Sequence, residues 1–329
     1  MRDERTLLLG SLAIIGAAVA FGTLGVVTRF AYDAGLTPTT LAGWRAALGT
    51  LGLGTIIVAT GIAGGRAIVP TGVGRREVAM LGAAALLGAL VNVGIFGGLE
   101  LMPVALVLLA FYTYPVIIGV VGALFLGEPL DRVRLAALAL AVAGTALVVL
   151  GGIDPATGLR VDVLGLALAL GAAVAQTGLS LVTRSGFRSI PSAHATAGIL
   201  GGMAVVFWTS SALTGQLEAL LIPFRSPDAF ALVAYLGLVT AALSTFLFVV
   251  GIRLIGPLLG GILSLFDPVV AIVLAAVILG ERLTGVGLAG GALVIAAAVV
   301  VQRIPVRSNH PGTGVRRDAV GQEPLPPVG

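Results

Sequence analysis

The chain has 329 residues, of which 58% are hydrophobic and only 10% are charged, and its mean hydropathy is +1.11. A soluble domain carries about 25% charged residues, and so few charges cannot cover the apolar surface of a chain this long. The composition excludes a cytosolic enzyme, a secreted domain and a disordered chain, and it predicts a protein that crosses a membrane several times.

Apolar runs of about 20 residues, the length that crosses a bilayer, predict ten transmembrane helices, here called predicted spans 1 to 10. They lie near residues 7–31, 39–61, 77–99, 103–125, 131–150, 161–184, 192–214, 229–250, 256–279 and 284–302. Residues 1–6 precede them. The first apolar run resembles a signal peptide but continues well past Ala20, so we interpret it as a span. Residues 303–329, with their Pro, Gly and Arg, predict a disordered tail.

The basic residues predict the orientation in the membrane. All 19 of them are arginine and they are spread thinly, which favours topology anchors over a nucleic-acid surface. With the N-terminus inside, 14 arginines fall in inside segments and five fall outside or in the outer half. The positive-inside rule therefore predicts ten spans in the plasma (inner) membrane with both termini cytoplasmic.

The two halves of the chain resemble each other. Residues 109–130 match residues 262–283, with Pro115 opposite Pro268 and Glu128 opposite Glu281 at a constant offset of 153 residues. The repeats cover residues 7–150 and 161–302. Because each repeat holds five spans, an odd number, the halves are expected to cross the membrane in opposite orientations. Inverted repeats are typical of transporters, with the substrate site near mid-membrane.

Three motifs carry a resemblance to a known family. They are PTTLAGWR at 38–45, Pro115 followed by LGE at 126–128, and Asp267-Pro268 followed by LGERL at 279–283. At this spacing they resemble the EamA family of the drug/metabolite transporter superfamily, over about residues 7–302. The resemblance implies an all-α membrane protein with ten transmembrane helices in two inverted five-helix repeats. Family members export amino acids, other metabolites or drugs, and related proteins move lipids or sugars.

Asp267 is the first candidate for the chemistry. It falls at the middle of predicted span 9, where the family often carries Glu. A carboxylate near the bilayer midplane costs about 2.5–3.5 kcal/mol when charged and little when protonated, so Asp267 is a candidate proton site. Pro268 removes a helical hydrogen bond beside it. The alternative is a structural hydrogen bond to a hydroxyl such as that of Ser264.

Tyr114-Pro115 occupies the matching position of predicted span 4. Breaks at matching positions of two repeats indicate a binding site, although an ordinary kink with a packed aromatic ring is the alternative. Tyr112 adds a second hydroxyl. Two residues apart on a helix point about 200° from each other, so only one of these tyrosines is expected to face the cavity.

Arg45, preceded by Trp44, lies about 9 Å inside predicted span 2 at 1.5 Å per residue. Its repeat counterpart falls in the apolar residues 197–199. A charge kept in only one half suggests a contact with an anionic substrate group or a pair with Asp33, Glu100 or Asp267. The alternative is an anchor at the membrane interface.

The remaining polar candidates have weaker roles. Asn92 and Gln176 either line the cavity or clamp two helices together. Glu128 and Glu281 each follow a glycine just before the next span, and we interpret them as structural caps. The chain has no cysteine and two widely separated histidines, so neither a metal nor another cofactor is expected.

These observations predict a secondary transporter that exports small metabolites, such as amino acids or drugs, by alternating access with proton coupling. Its expected partners are a small-molecule substrate, protons and the lipid bilayer, with a homodimer left open and no nucleic acid. A flippase of lipids or lipid-linked sugars is the first alternative. An intramembrane enzyme is the second, and it would need a nucleophile–base pair or a metal, of which the sequence shows no cluster.

Overall fold

The computed structural model describes residues 4–64, 70–102, 104–125, 131–151, 162–187, 189–279 and 284–302. Within these ranges the ordered elements are helices, and no described residue lies in a strand. The first repeat holds α1 (Glu4–Gly22), α2 (Leu24–Asp33), α3 (Pro38–Gly64), α4 (Arg75–Leu101), α5 (Val104–Phe111), α6 (Tyr114–Phe125) and α7 (Arg132–Gly151).

The second repeat begins with α8 (Val163–Ser185) and α9 (Ser192–Leu213), and continues through a 3₁₀ segment (Leu217–Arg225), α10 (Pro227–Tyr235), a π-helical segment (Leu236–Leu243), α11 (Ser244–Ile255), α12 (Pro257–Ser264), α13 (Asp267–Leu279) and α14 (Gly285–Gln302). The predicted tail, 303–329, lies outside the described residues.

Eight helical stretches of the described chain are long and apolar enough to cross a membrane, and they coincide with predicted spans 1 to 8. Two shorter apolar stretches, Pro257–Ala271 and Gly285–Ala297, lie within predicted spans 9 and 10. The protein is therefore an all-α, multi-pass membrane protein, whereas the count of ten spanning helices stays a prediction. Leucine and valine side chains such as Leu51, Val205 and Val277 are largely exposed on its outside, as expected of a surface that faces lipid.

Two spans are broken at matching positions. The first helix of each pair, α5 or α12, ends at Phe111 or Ser264, and the second begins three residues later at Tyr114 or Asp267. Pro115 and Pro268 are the second residues of α6 and α13. Proline has no N–H to donate to the preceding turn, so the first helix ends there, whereas a new helix tolerates proline in its first turn.

Two pairs of repeat-equivalent helices, α3 with α9 and α7 with α14, pack against each other in opposite directions. Along α3 and α9, a methyl group on Gly43 would lie 2.8 Å from Trp208, and one on Gly49 would lie 3.0 Å from Leu200. Residue numbers thus increase along α3 in the direction in which they decrease along α9, so the two helices are antiparallel. α7 and α14 run antiparallel in the same way. The orientation of these mates is the one that an inverted repeat requires.

Glycine allows the α7–α14 contact to form. A methyl group on Gly144 would lie 2.7 Å from the Gly290 carbonyl oxygen and 2.8 Å from the Val294 nitrogen. A methyl group on Gly290 would meet the Gly144 carbonyl oxygen at 2.5 Å. Only small residues let two helix backbones approach so closely, which is how many membrane helices associate.

Candidate functional site

A central cavity of about 210 Å³ lies at the helix breaks, between the two repeats. Its lining residues come from α1, α2, α3, α4, α5, α8, α9, α11, α12, the π-helical segment and both breaks. Most of its wall is apolar or aromatic, with Phe21, Phe96, Phe111 and Phe248 among the lining residues. Six polar residues predicted from the sequence also line it: Arg45, Asn92, Tyr112, Tyr114, Gln176 and Asp267.

Asp267 is the first residue of α13, so it lies at a helix N-terminus in the middle of the span rather than inside a continuous helix. The positive end of the helix dipole at such a terminus favours a negative charge. The Tyr112 hydroxyl donates a hydrogen bond of 2.8 Å to Asp267 Oδ2. This bond joins the break in the first repeat to the break in the second, across the cavity.

Both tyrosines line the cavity, and the expectation that only one would do so is wrong. The angle of about 200° holds for a continuous helix, whereas residues 112–113 form a turn between α5 and α6. The turn changes the direction of the chain between the two side chains. The Tyr114 backbone carbonyl also accepts a hydrogen bond of 3.3 Å from the Thr177 hydroxyl, which links α6 to α8.

Arg45 enters the cavity from α3 and is held by neutral partners. Its Nη2 donates to the Thr240 carbonyl at 3.0 Å, and its Nη1 donates to Asn92 Oδ1 at 3.4 Å. The third nitrogen, Nε, is buried and makes no hydrogen bond. Among the side chains that the structure describes, no carboxylate lies within 4.0 Å of the guanidinium nitrogens. Arg45 and Asp267 thus bring opposite charges to one cavity without forming an ion pair.

The two amides have different surroundings. Asn92 accepts from Arg45 through Oδ1 and donates 2.8 Å to the Gly88 carbonyl of its own helix through Nδ2. It therefore both lines the cavity and links α4 to α3. Gln176 lines the cavity from α8.

Trp44 does not line the cavity, although it precedes Arg45. Its indole N–H donates 2.8 Å to the Leu220 carbonyl in the 3₁₀ segment. Its ring makes edge contacts with Trp208, at 5.4 Å between centroids, and with Phe224, at 5.2 Å. Glu128 and Glu281, the predicted caps, lie outside the described residues.

Sequence reasoning missed Thr240, whose backbone carbonyl is a partner of Arg45. A carbonyl is common to all residues, so the sequence carries no signal that singles this one out. Among the described residues, no group of three or more His, Cys, Asp or Glu is placed to hold a metal ion.

The chain is similar to known proteins over most of its length. The model of the EamA-like transporter family matches twice, at residues 8–150 and 163–303. One solved structure, described only as "Crystal structure of protein", superimposes with a TM-score of 0.68 at 24% sequence identity, over 92% of this chain and 98% of that one. At that identity it shows a shared fold alone. No curated protein sequence matches significantly. The two family matches cover both repeats and most of the chain, and the protein is therefore a member of the EamA-like transporter family.

Proposed function

We propose that the protein is a secondary transporter that exports small metabolites, such as amino acids, by alternating access. One observation carries the proposal: a single cavity between two inverted repeats holds a cationic and an anionic side chain that do not pair with each other. Charged groups inside a membrane protein are expensive and are found where they act on a substrate or an ion.

Arg45 is the proposed contact for an anionic group of the cargo. Guanidinium groups bind carboxylates through two parallel N–H bonds, and Arg45 keeps a buried Nε–H without a partner. Its present acceptors are a carbonyl and an amide, both uncharged, and a carboxylate would bind it more strongly.

Asp267 is the proposed site of the coupling proton. Its charged form is costly near the midplane and its protonated form is not, so proton binding changes the relative free energy of the conformations that bury or expose it. The Tyr112 hydroxyl and the N-terminus of α13 both stabilise the charged form. These partners keep the deprotonated state accessible in a wall that is mostly apolar.

The repeat architecture supplies the motion that alternating access requires. Several helix contacts recur when each helix is exchanged for its repeat mate: α1 packs on α11 as α8 packs on α4, and α5 packs on α7 as α12 packs on α14. An inverted pair of this kind can adopt either of two equivalent arrangements, one open to each side. The cavity volume, about 210 Å³, is below the roughly 300–1,000 Å³ typical of drug-sized ligand pockets, which favours a metabolite.

The first experiment identifies the cargo. Metabolites and lipids retained by cells with the protein, without it and with Arg45→Ala are compared without prior choice of compound. We expect one small anionic or zwitterionic metabolite to be retained in the deletion and in Arg45→Ala. A change confined to lipids would replace the export proposal by the flippase, and no difference between the three strains would contradict both.

The second experiment tests the proposed orientation, in which both termini and the 62–76 loop are cytoplasmic. The chain has no cysteine, so single cysteines introduced at loop positions report without background. We expect a cysteine at position 72 to stay unlabelled by an impermeant thiol reagent added outside, and one at position 215 to react. The reverse pattern would invert the topology.

A further inference from the structure

A π-helical segment, Leu236–Leu243, interrupts the eighth span between α10 and α11. In a π-helix each N–H bonds to the carbonyl five residues earlier rather than four. Such segments amount to one inserted residue and are frequent at functional sites. This one packs on α3, the helix that carries Arg45, and its Ala241 lines the cavity.

The return to α-helical bonding leaves the Thr240 carbonyl without a helical donor. The Ser244 N–H, which an α-helix would direct to Thr240, bonds instead to the carbonyls of Val239 and Ala241. Thr240 is fully buried. A buried carbonyl without a partner is costly inside a membrane span, so this oxygen needs side-chain donors.

Two side chains supply those donors. Arg45 Nη2 lies 3.0 Å from the Thr240 oxygen, and the Ser244 hydroxyl lies 2.5 Å from it. The π-helical register thus creates an acceptor at the place where the guanidinium enters the cavity. The repeat mate of this span, α4, is a continuous α-helix. The symmetry-related contact, between α9 and α4, therefore has neither the arginine nor the π-helical register.

We propose that the Thr240 carbonyl positions Arg45 in the empty cavity, and that a carboxylate on the cargo replaces this carbonyl when it binds. The role rests on the proposed contact between Arg45 and cargo. While the cavity is empty, the carbonyl orients the guanidinium and offsets part of its charge. A carboxylate that takes both Nε–H and Nη2–H forms the stronger bidentate pair, and the Ser244 hydroxyl then remains on the carbonyl.

Deletion of Val239 tests the positioning. Removing one residue converts each i→i+5 hydrogen bond that spans it into the i→i+4 hydrogen bond of an α-helix. The Ser244 N–H loses the Val239 carbonyl as an acceptor and bonds to the Thr240 carbonyl instead. The span becomes a continuous α-helix, and Thr240 no longer needs Arg45. Val239→Ala is the matched control, because it shortens the same side chain without changing the register.

The measurement is thermal unfolding of the purified protein in detergent, in a double-mutant cycle with Arg45→Met. We expect Arg45→Met to lower the Tm by several degrees in the wild-type and Val239→Ala backgrounds, because it leaves the Thr240 carbonyl short of a donor. In the Val239 deletion we expect a much smaller loss or a gain. An equal loss in all three backgrounds would overturn the proposal.

Titration with acetate, at constant ionic strength against chloride, tests the replacement step. We expect acetate to raise the Tm of the wild type and of Val239→Ala with the same midpoint concentration. The Val239 deletion should show a midpoint several-fold lower, and Arg45→Met should not respond. If the Thr240 carbonyl acted in folding alone, the deletion would leave the acetate midpoint unchanged. Equal midpoints for the wild type and the Val239 deletion, or no response of the wild type to acetate, would overturn the replacement step.

Deletion of Leu238 restores the same register and serves as the second variant. If neither deletion gave a folded protein, the segment would be required for the fold rather than for Arg45, and the proposal would be rejected. None of these measurements uses transport, so the proposed function and this inference can fail separately.

Discussion

The two repeats share their helix architecture but differ in their charged side chains. In each repeat one span is broken, and its second helix begins at an equivalent residue, Tyr114 in the first repeat and Asp267 in the second. Yet one repeat places a phenol where the other places a carboxylate. Likewise Arg45 of α3 corresponds to the region of Gly198 in α9, where the side chains are apolar. The scaffold is common to both copies, and we propose that the residues that differ between them carry the transport chemistry.

The largest effect is expected when the charge of the first repeat is removed. Arg45→Ala should abolish measurable transport while the protein still inserts, since hydrogen bonds to charged groups contribute about 1.5–3 kcal/mol each. Arg45→Lys should restore only part of the activity, because lysine keeps the charge but loses the planar fork. The check is export of the identified cargo from cells at matched protein levels. Wild-type export by Arg45→Ala would reduce the residue to a structural one that holds Asn92 and the Thr240 carbonyl.

A more selective loss is expected when the charge of the second repeat is removed. Asp267→Asn, which imitates the protonated acid, should still exchange cargo for cargo across a liposome membrane but should not accumulate it. Asp267→Glu should keep much of the activity, because it keeps the carboxylate. Paired exchange and net-uptake assays separate the two functions. Loss of both in Asp267→Asn would instead indicate a substrate-binding or structural role.

The helix packing common to both repeats is tested at the contact between α7 and α14. Gly144→Ala should lower the Tm, because its methyl group would meet backbone atoms at 2.7–2.8 Å and overpacking costs about 1–3 kcal/mol. Gly54→Ala is the matched control, since nothing lies within 4 Å of its added methyl group. Alanine favours a helix over glycine by about 0.8–1.0 kcal/mol, so the control should not lose stability. Equal Tm values for the two variants would contradict the close contact.

The smallest effect is expected one residue away from Arg45. Trp44→Phe removes one hydrogen bond, to the Leu220 carbonyl, worth about 0.5–1.5 kcal/mol. The ring contacts with Trp208 and Phe224 are largely kept. We expect a slightly lower Tm and nearly unchanged transport, measured side by side with Arg45→Ala. A transport defect as large as that of Arg45→Ala would place Trp44 in the site.

Most of the helix architecture could be predicted from the sequence, because apolar runs define spans and prolines define breaks within short stretches of chain. Runs of apolar residues located eight described spans, and Pro115 and Pro268 marked both breaks. The matched prolines also pointed to the cavity, which six of the seven predicted polar residues line.

Side-chain direction and backbone register could not be predicted in the same way. The turn at residues 112–113 brings both Tyr112 and Tyr114 to the cavity, against the helical angle that the sequence implied. Trp44 turns toward the 3₁₀ segment because Leu220 offers it an acceptor. The π-helical register that frees the Thr240 carbonyl depends on packing between spans far apart in the chain, so no local pattern reveals it.

Transport by the reconstituted protein shows whether the asymmetric charges support proton coupling. The wild-type protein is reconstituted into liposomes, and uptake of the identified cargo is followed with an imposed proton gradient, without it, and after a protonophore. We expect accumulation above equilibrium that appears with the gradient and collapses with the protonophore. Uptake that is the same in all three conditions, and never exceeds equilibrium, would contradict it.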